Sequence, residues 1–122
     1  MTRLRHPERP GLHLRVVLEG QVVLGPGKAD LLEGIATTGS IAAAGRGMGM
    51  SYKRAWSLVE EMNAAFRDPL VLAAKGGARG GGATLSPLGA RLLSAYRGLE
   101  TKAAAAGAAE LAALRRAIAP RG

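Results

Sequence analysis

Cysteine is absent from this chain of 122 residues, and aromatic residues make up only 3% of it. The absence of Cys excludes a disulfide framework, thiol catalysis and Cys-based zinc or iron–sulfur sites. His6 and His13 are the only imidazole groups, too few and too isolated for an imidazole-bound metal. With so few aromatic rings, the core must consist mainly of aliphatic side chains. We therefore expect neither a metal nor another cofactor.

Catalytic groups are equally scarce. The two histidines are isolated, and no pair of acids lies in an apolar segment, so nothing resembles a catalytic constellation. Gly27-Lys28 invites comparison with a phosphate-binding loop. The motif fails, because Val22 stands where its first glycine is required and Ala29 where Ser or Thr is required. We therefore expect a protein that is not an enzyme.

Negative charge is in short supply: 9 Asp and Glu oppose 17 Lys and Arg, giving a formal net charge of +8. Such an excess favours a polyanionic partner, of which nucleic acid is the commonest, with anionic membranes and acidic proteins as alternatives that composition leaves open. The sequence shows no signal-peptide core and no apolar run of roughly 18 residues. We expect a cytoplasmic, nucleoid-associated protein of one domain, without a membrane partner.

The N-terminal part predicts a β-hairpin followed by a helix. Apolar residues alternate with polar ones from Leu12 to Leu18, as in a half-buried strand with its even-numbered side chains inward. A turn at Glu19-Gly20 leads to a second apolar run over residues 21–24. His13 falls on the polar side and is expected to be a plain surface residue. After the break at residues 25–28, residues 29–37 predict a helix.

The central segment predicts two helices, over residues 40–46 and 51–66, joined by a tight turn at Gly49. Ser40 and Ser51 stand at the two N-cap positions. Small residues stand where the helices must approach closely, namely Ala44 and Gly45. This is the pattern of a helix-turn-helix.

The second of these helices is the candidate DNA reader. Lys53 and Arg54 occupy its first turn, where the helix dipole disfavours cations by about 0.3–1 kcal/mol each. That placement makes sense if phosphates and base edges meet them, although a merely solvated basic face remains the alternative. Tyr52 and Trp56 fit the period of the buried stripe, and Trp56 is more typical of a core than of base stacking. The candidate DNA-binding residues are Ser40, Ser51, Tyr52, Lys53, Arg54, Ser57, Lys75 and Arg79.

Two short strands, over residues 70–74 and 84–85, bracket a Gly-rich loop that carries Lys75 and Arg79 and no acid. Directly after a DNA-reading helix, this arrangement predicts a wing that approaches a DNA groove. A flexible linker is the alternative, since Gly-rich loops usually are linkers.

Ser86-Pro87 supplies an N-cap and a proline at the first helical position, which predicts a long helix ending near Ile118. Its apolar residues run roughly down one side, far beyond what so small a domain can cover. We therefore expect the far half of this helix to pack against a second copy of the chain, forming a homodimer.

These elements carry a family resemblance. The segments Thr38-Gly-Ser-Ile, Gly49-Met-Ser-Tyr-Lys-Arg-Ala-Trp, Glu61-Met-Asn and Thr84-Leu-Ser-Pro-Leu-Gly resemble the N-terminal DNA-binding domain of ModE-type molybdate-responsive transcription regulators. That domain is itself similar to the winged helix of LysR-type regulators. The likeness covers about residues 12–100. It implies a winged helix-turn-helix that dimerises through its first strands and long final helix and binds a palindromic operator in double-stranded DNA.

The expected fold class is therefore mainly α with short β-strands: a winged helix-turn-helix with an N-terminal hairpin and a long C-terminal dimerisation helix. We expect a flexible basic tail (1–10), the winged domain (11–85), the dimerisation helix (86–118) and a short tail (119–122). The expected function is sequence-specific transcription regulation, with a non-specific nucleoid or architectural protein as the alternative.

The oxyanion-binding domains of the family are C-terminal, and this sequence stops at Gly122. The resemblance therefore implies DNA binding without the molybdate-binding domain. On that expectation, the signal would come from the expression level or from a separate molybdate-binding partner protein.

Overall fold

The computed structural model describes residues 11–74 and 82–120, which are mainly helical with short antiparallel strands. The predicted basic tail, Lys75 and Arg79 lie outside the described residues. The elements in chain order are β1 (Val16–Leu18), β2 (Gln21–Leu24), α1 (Pro26–Thr38), α2 (Ile41–Gly47), α3 (Tyr52–Ala65), β3 (Val71–Ala73), β4 (Ala83–Leu85), α4 (Pro87–Ala106) and α5 (Ala108–Arg116). The helical pair at 40–46 and 51–66 and the strand pair after it are confirmed as local structure, within about a residue at each end.

The first hairpin forms at the predicted turn, with Glu19 at a φ of 50° and Gly20 at 81°. Two successive residues with positive φ are typical of the tight turn that joins antiparallel strands. The first strand is shorter than predicted: it begins at Val16, not Leu12. Pairing cannot extend further, because β2 ends at Leu24 and the chain turns directly into α1. The expectation for Leu18 is also wrong, since this side chain is 53% exposed.

Helix α1 begins three residues earlier than predicted, at Pro26 instead of Ala29. The strand does end at Leu24, as predicted, but the residues after Gly25 already form the first turn of the helix. A proline is well suited to that position, since its missing N–H would have no partner inside the helix. Buried residues of α1 form the centre of the core: Ala29, Leu31, Leu32 and Ile35.

The core is aliphatic, as expected. Helix α1 contacts α2, α3 and α4 as well as strands β2 and β4. The inward residues of α3 complete the main layer: Ala55, Leu58, Val59 and Met62. Among the aromatic residues, Tyr96 is buried, whereas Trp56 and Phe66 are half-buried and pack against the edge of the core. Trp56 is therefore partly a core residue.

Small residues bring α2 close to its two neighbours. A Cβ atom placed on Gly34 of α1 would lie 2.9 Å from the Cβ of Ala44, and one placed on Gly45 would lie 2.8 Å from the Cβ of Ala55. The predicted close approach at Ala44 and Gly45 is confirmed. Gly45 lowers the helix propensity of α2, and the contact with α3 is the reason that no larger residue fits there.

The long C-terminal helix was expected to be continuous from 86 to 118, and this is wrong. Gly107 separates α4 from α5, and α5 ends at Arg116. The N–H of Gly107 donates to the carbonyl of Ala103 at 2.9 Å, so the interruption is slight. Glycine is a poor helix former. Because α5 has no buried residue, no packing against the core offsets that preference at Gly107. None of the helices in the described ranges has the length and apolarity needed to cross a membrane.

Candidate nucleic-acid interface

The turn between α2 and α3 is tight and depends on Gly49, whose φ is +71°. Its N–H donates to the carbonyl of Arg46 at 3.0 Å, and the N–H of Met50 donates to the carbonyl of Gly45 at 3.0 Å. An L side chain would be strained at such a φ. The two helices are therefore held at a defined angle by backbone hydrogen bonds and by the Gly45 contact described above.

Both predicted N-caps are confirmed. The hydroxyl of Ser40 accepts a hydrogen bond from the backbone N–H of Ala43 at 3.0 Å, and that of Ser51 accepts one from the N–H of Arg54 at 3.0 Å. A hydroxyl that accepts in this way retains its own O–H as a donor. Each serine can therefore cap its helix and donate to an outside acceptor at the same time.

The exposed face of α3 begins with a cation. At roughly 100° per residue, Lys53, Ser57 and Glu60 lie opposite the buried stripe of this helix. Lys53 and Glu60 are exposed, and Ser57 is half-buried. The first turn of α3 contains no acid. An N-terminal end with exposed Lys53 and a capping serine whose O–H can still donate can attract an anionic ligand.

Tyr52 lies on one flank of α3 and not in the buried stripe, where its spacing predicted it. Its side chain is 59% exposed, and its ring meets that of Trp56 edge to face with centroids 6.2 Å apart. Together with the start of α2 and the ends of β3 and β4, the two rings border a recess of about 150 Å³. Ser40 lines the same recess. The structure thus brings together Ser40, Tyr52 and the loop end of the second hairpin, where β3 ends and β4 begins.

Arg54 lies on the opposite flank of α3. It borders a second recess, of about 230 Å³, together with Arg15 and the first turn of α1. Lys53 and Arg54 are therefore neighbours in sequence but do not share one face. Their adjacent positions predict a single cationic pair, but the structure places the two side chains on different faces of α3.

The second hairpin is attached to α3 by a side chain that sequence reasoning did not single out. The Oδ1 atom of Asn63 accepts from the backbone N–H groups of Leu70 and Val71, at 2.8 and 3.1 Å. Its Nδ2 atom donates to the carbonyl of Val71 at 3.2 Å. Because β3 pairs with β4, these bonds position the whole hairpin relative to α3. Asn63 did belong to the Glu61-Met-Asn segment of the family resemblance, but nothing in the sequence assigned it this role.

The start of α4 holds the other side of this hairpin. Ser86 caps α4 by accepting from the N–H of Gly89 at 2.9 Å, and its hydroxyl donates to the carbonyl of Pro69 at 2.7 Å. A Cβ atom at Gly89 would clash with the carbonyl oxygen of Leu70. The close approach of α4 to the chain before β3 therefore requires glycine.

Helix α4 is joined to α1 by an ion cluster around Arg97, another feature that the sequence did not reveal. The guanidinium group lies 2.8 Å from the carboxylate of Asp30, 2.7 Å from that of Glu33 and 3.1 Å from that of Glu100. Burial opposes its charged form, but these hydrogen bonds outweigh burial and raise the pKa of Arg97 above its ordinary value. At the junction of α1 and α4, the carboxylates of three acidic residues are thus ion-paired with one arginine.

Comparison with known proteins supports the resemblance. The chain is 48% identical over 77 residues to the molybdenum-pterin-binding protein MopB of Rhodobacter capsulatus, an alignment covering 63% of this chain and 28% of that protein. It is 40% identical over 83 residues to the DNA-binding transcriptional dual regulator ModE of Escherichia coli K12, covering 68% of this chain and 32% of ModE. Its homologues are ModE and Mop proteins.

The ModE transcriptional regulator of Yersinia pestis is 39% identical over 88 residues, covering 72% of this chain and 34% of the relative. The chain thus spans about a third of the length of the curated relatives that it matches. No protein-family model matches it. By their names, these ModE and Mop relatives are regulators or molybdenum-binding proteins, and none of the three is named as an enzyme.

Proposed function

We propose that the chain is a sequence-specific DNA-binding transcription regulator of the ModE type, in which α2, α3 and the β3–β4 hairpin form a LysR-like winged helix-turn-helix. The observation that carries this proposal is the exposed face of α3, which begins with Lys53 beside the Ser51 cap and contains no acid in its first turn. The sequence identity with ModE over this region supports it.

In this proposal, α3 enters the major groove. Lys53 and Ser57 face base edges, and the serine hydroxyls at the starts of α2 and α3 donate to backbone phosphates. Tyr52 stands at the flank that faces the hairpin, where its exposed ring contacts the sugar-phosphate wall. Lys75 and Arg79, outside the described residues, are proposed to extend the contact from the wing into the neighbouring groove.

A homodimer on a palindromic operator completes the proposal. Large apolar side chains are exposed on the first hairpin, along the C-terminal helices and just after α5, namely Val17, Leu18, Leu99, Leu114 and Ile118. These are the regions through which the resemblance implies dimerisation. A two-fold arrangement places the two copies of α3 about 34 Å apart, one turn of DNA. We propose molybdenum-related genes as the targets, because the resemblance is to molybdate-responsive regulators and one relative is named as a molybdenum-pterin-binding protein.

Selection of bound fragments from a random DNA library with the purified protein tests the function. A sequence-specific dimer enriches a palindrome with half-sites one helical turn apart, and it binds that operator at least about 10³-fold more tightly than random duplex. The alternative, a nucleoid protein that binds by charge alone, enriches no sequence and shows no such gap at any salt concentration. That result would overturn the proposal.

A further inference from the structure

The second recess beside α3 combines positive side chains from three separate parts of the chain. Arg15 comes from the segment before β1, Lys28 from the first turn of α1, and Arg54 from the first turn of α3. The recess measures about 230 Å³. Basic residues up to 39 positions apart in the sequence therefore line one concave surface, although the side chain of Lys28 is mostly buried.

Few negative groups compensate these charges. No acidic side chain is among the described residues that line the recess. Glu61 lies beside it, with a carboxylate oxygen 3.3 Å from the Nζ atom of Lys28, but this acid is half exposed. In the described part of the chain, Arg15 and Arg54 form no ion pair. Gathering like charges in this way costs free energy, which an anion in the recess would recover.

The backbone at the recess is also suited to an anion. Gly25 provides no side-chain cap for α1, and the first turn of that helix contains no acid. The N–H groups of Gly27 and Lys28 belong to the first turn, where helical N–H groups have no partner within the helix. These groups add donors to a surface that already has three cations around it.

The position of the recess determines which anion would reach it. Arg54 forms its rim and belongs to the helix that is proposed to enter the major groove. DNA backbone runs along both edges of that groove, so a phosphate of one strand passes the flank of α3 on which Arg54 lies. The hairpin occupies the other flank, next to Tyr52.

We propose that the recess of Arg15, Lys28 and Arg54 binds one phosphate oxyanion of the DNA backbone and thereby sets the position of α3 in the groove. The inference depends on the proposed DNA binding for the source of the phosphate. It adds a contact from Arg15 and from the start of α1, neither of which belongs to the helix-turn-helix.

Arg15→Ala tests the contact, because Arg15 is exposed and lies outside every helix and strand, so that folding does not depend on it. Lys102→Ala, an exposed cation in the second half of α4, is the matched control. With the selected operator, Arg15→Ala is expected to weaken binding about three- to tenfold and to reduce the salt slope by about one unit, as one lost phosphate contact does. Lys102→Ala is expected to change neither quantity.

A series of operators with single neutral methylphosphonate linkages then locates the phosphate. One such linkage is expected to weaken binding by the wild-type protein but to have no further effect on Arg15→Ala, because both changes remove the same contact. Losses that simply add at every position would show that Arg15 contacts no individual phosphate, and the proposal would be wrong.

Amide NMR signals of Gly27 and Lys28 give a readout that does not require operator binding. Operator DNA is expected to shift both signals, and inorganic phosphate is expected to shift them only weakly, at millimolar concentration and not in Arg15→Ala. Saturation by micromolar inorganic phosphate would assign the recess to a free oxyanion instead and overturn the DNA source. If the protein binds no DNA, the proposed function fails, and phosphate that leaves both signals unmoved would overturn the recess as well.

Discussion

The side-chain amide of Asn63 is hydrogen-bonded to both backbone polar groups of Val71: Oδ1 accepts from the N–H at 3.1 Å and Nδ2 donates to the carbonyl at 3.2 Å. The amide therefore completes the edge of β3 as a neighbouring strand would. Val71 is almost fully buried, so its polar groups have no easy alternative in water. Asn63 of α3 thus positions the second hairpin from one side, and the start of α4 holds it from the other.

Asn63→Ala should destabilise the fold by about 1–3 kcal/mol, because it leaves buried backbone groups of residues 70 and 71 without partners. Chemical denaturation measures this loss. Asn63→Asp keeps the acceptor oxygen and loses the amide donor. The stability of this variant should therefore lie between those of the wild-type protein and Asn63→Ala. A change below about 0.5 kcal/mol in the alanine variant would mean that the hairpin is held by β4 and α4 alone.

Lys53 and Arg54 should respond differently to replacement, because the structure places them on different faces of α3. Lys53→Ala should cost about 1–3 kcal/mol on the selected operator and relax the preference at one base pair. Arg54→Ala should weaken binding to all sequences alike, as expected for a phosphate contact. Competition between operator variants measures both effects. Equal affinity of the double variant and the wild type would remove the assignment of α3 as the reading helix.

Two glycines of the same helix should behave in opposite ways. Gly47→Ala should stabilise the protein by up to about 1 kcal/mol, because a Cβ there meets no atom within 4 Å and alanine is the better helix former. Gly45→Ala should destabilise it, because the new Cβ would lie 2.8 Å from that of Ala55. Thermal unfolding of the two variants under identical conditions tests the pair. Similar shifts in melting temperature would contradict the close packing of α2 on α3.

The stability contributed by Tyr96 should disappear at high pH. Burial, followed by the nearby charge of Glu100, raises the pKa of Tyr96 from 10.0 to about 12. Below pH 10 the phenol is neutral in both states and donates to the carbonyl of Leu14 at 2.6 Å when folded. Between pH 10 and 12 the unfolded chain loses this proton more readily than the folded one, so the folded state becomes less stable as the pH rises.

Tyr96→Phe is the control for that titration, because other groups also ionise in this range. At pH 8 the variant should be less stable by about 0.5–1.5 kcal/mol, the usual loss for one hydrogen bond. The difference between the two proteins should shrink steadily above pH 10. Unfolding free energies that remain parallel up to pH 12 would show that burial does not perturb Tyr96.

Polar replacement on α5 and just after it should dissociate the proposed dimer without unfolding the protomer. Leu114 and Ile118 are each 68% exposed, so Leu114→Ser/Ile118→Ser removes no core contact. Sedimentation at micromolar concentration should change from dimer to monomer. Leu72→Ser, an exposed apolar residue on β3, should leave the dimer intact. A wild-type chain that sediments as a monomer would disprove the assembly itself.

Local chemistry accounts for what the sequence alone could predict. The N-caps at Ser40, Ser51 and Ser86, the turns at Gly20 and Gly49 and the period of the buried stripe each depend on interactions within a few residues. Such features are visible in a sequence because a cap or a turn has the same geometry wherever it occurs. Boundaries are less well specified where one segment carries two signals: residues 25–28 end the strand, as predicted, and also form the first turn of α1, which was predicted to begin only at Ala29.

Contacts between distant residues could not be predicted from the sequence and depend on how the elements pack. The residue pattern predicts the basic start and the buried stripe of α3, but not that Tyr52 lies outside the core or that Arg54 faces α1. Nor could it show that Asn63 meets Val71, that Arg97 gathers three acids, or that Arg15 lies beside Arg54. The physical reason is that these arrangements depend on how α1, α3 and α4 pack against one another, and periodicity assigns residues to a face without specifying what that face meets.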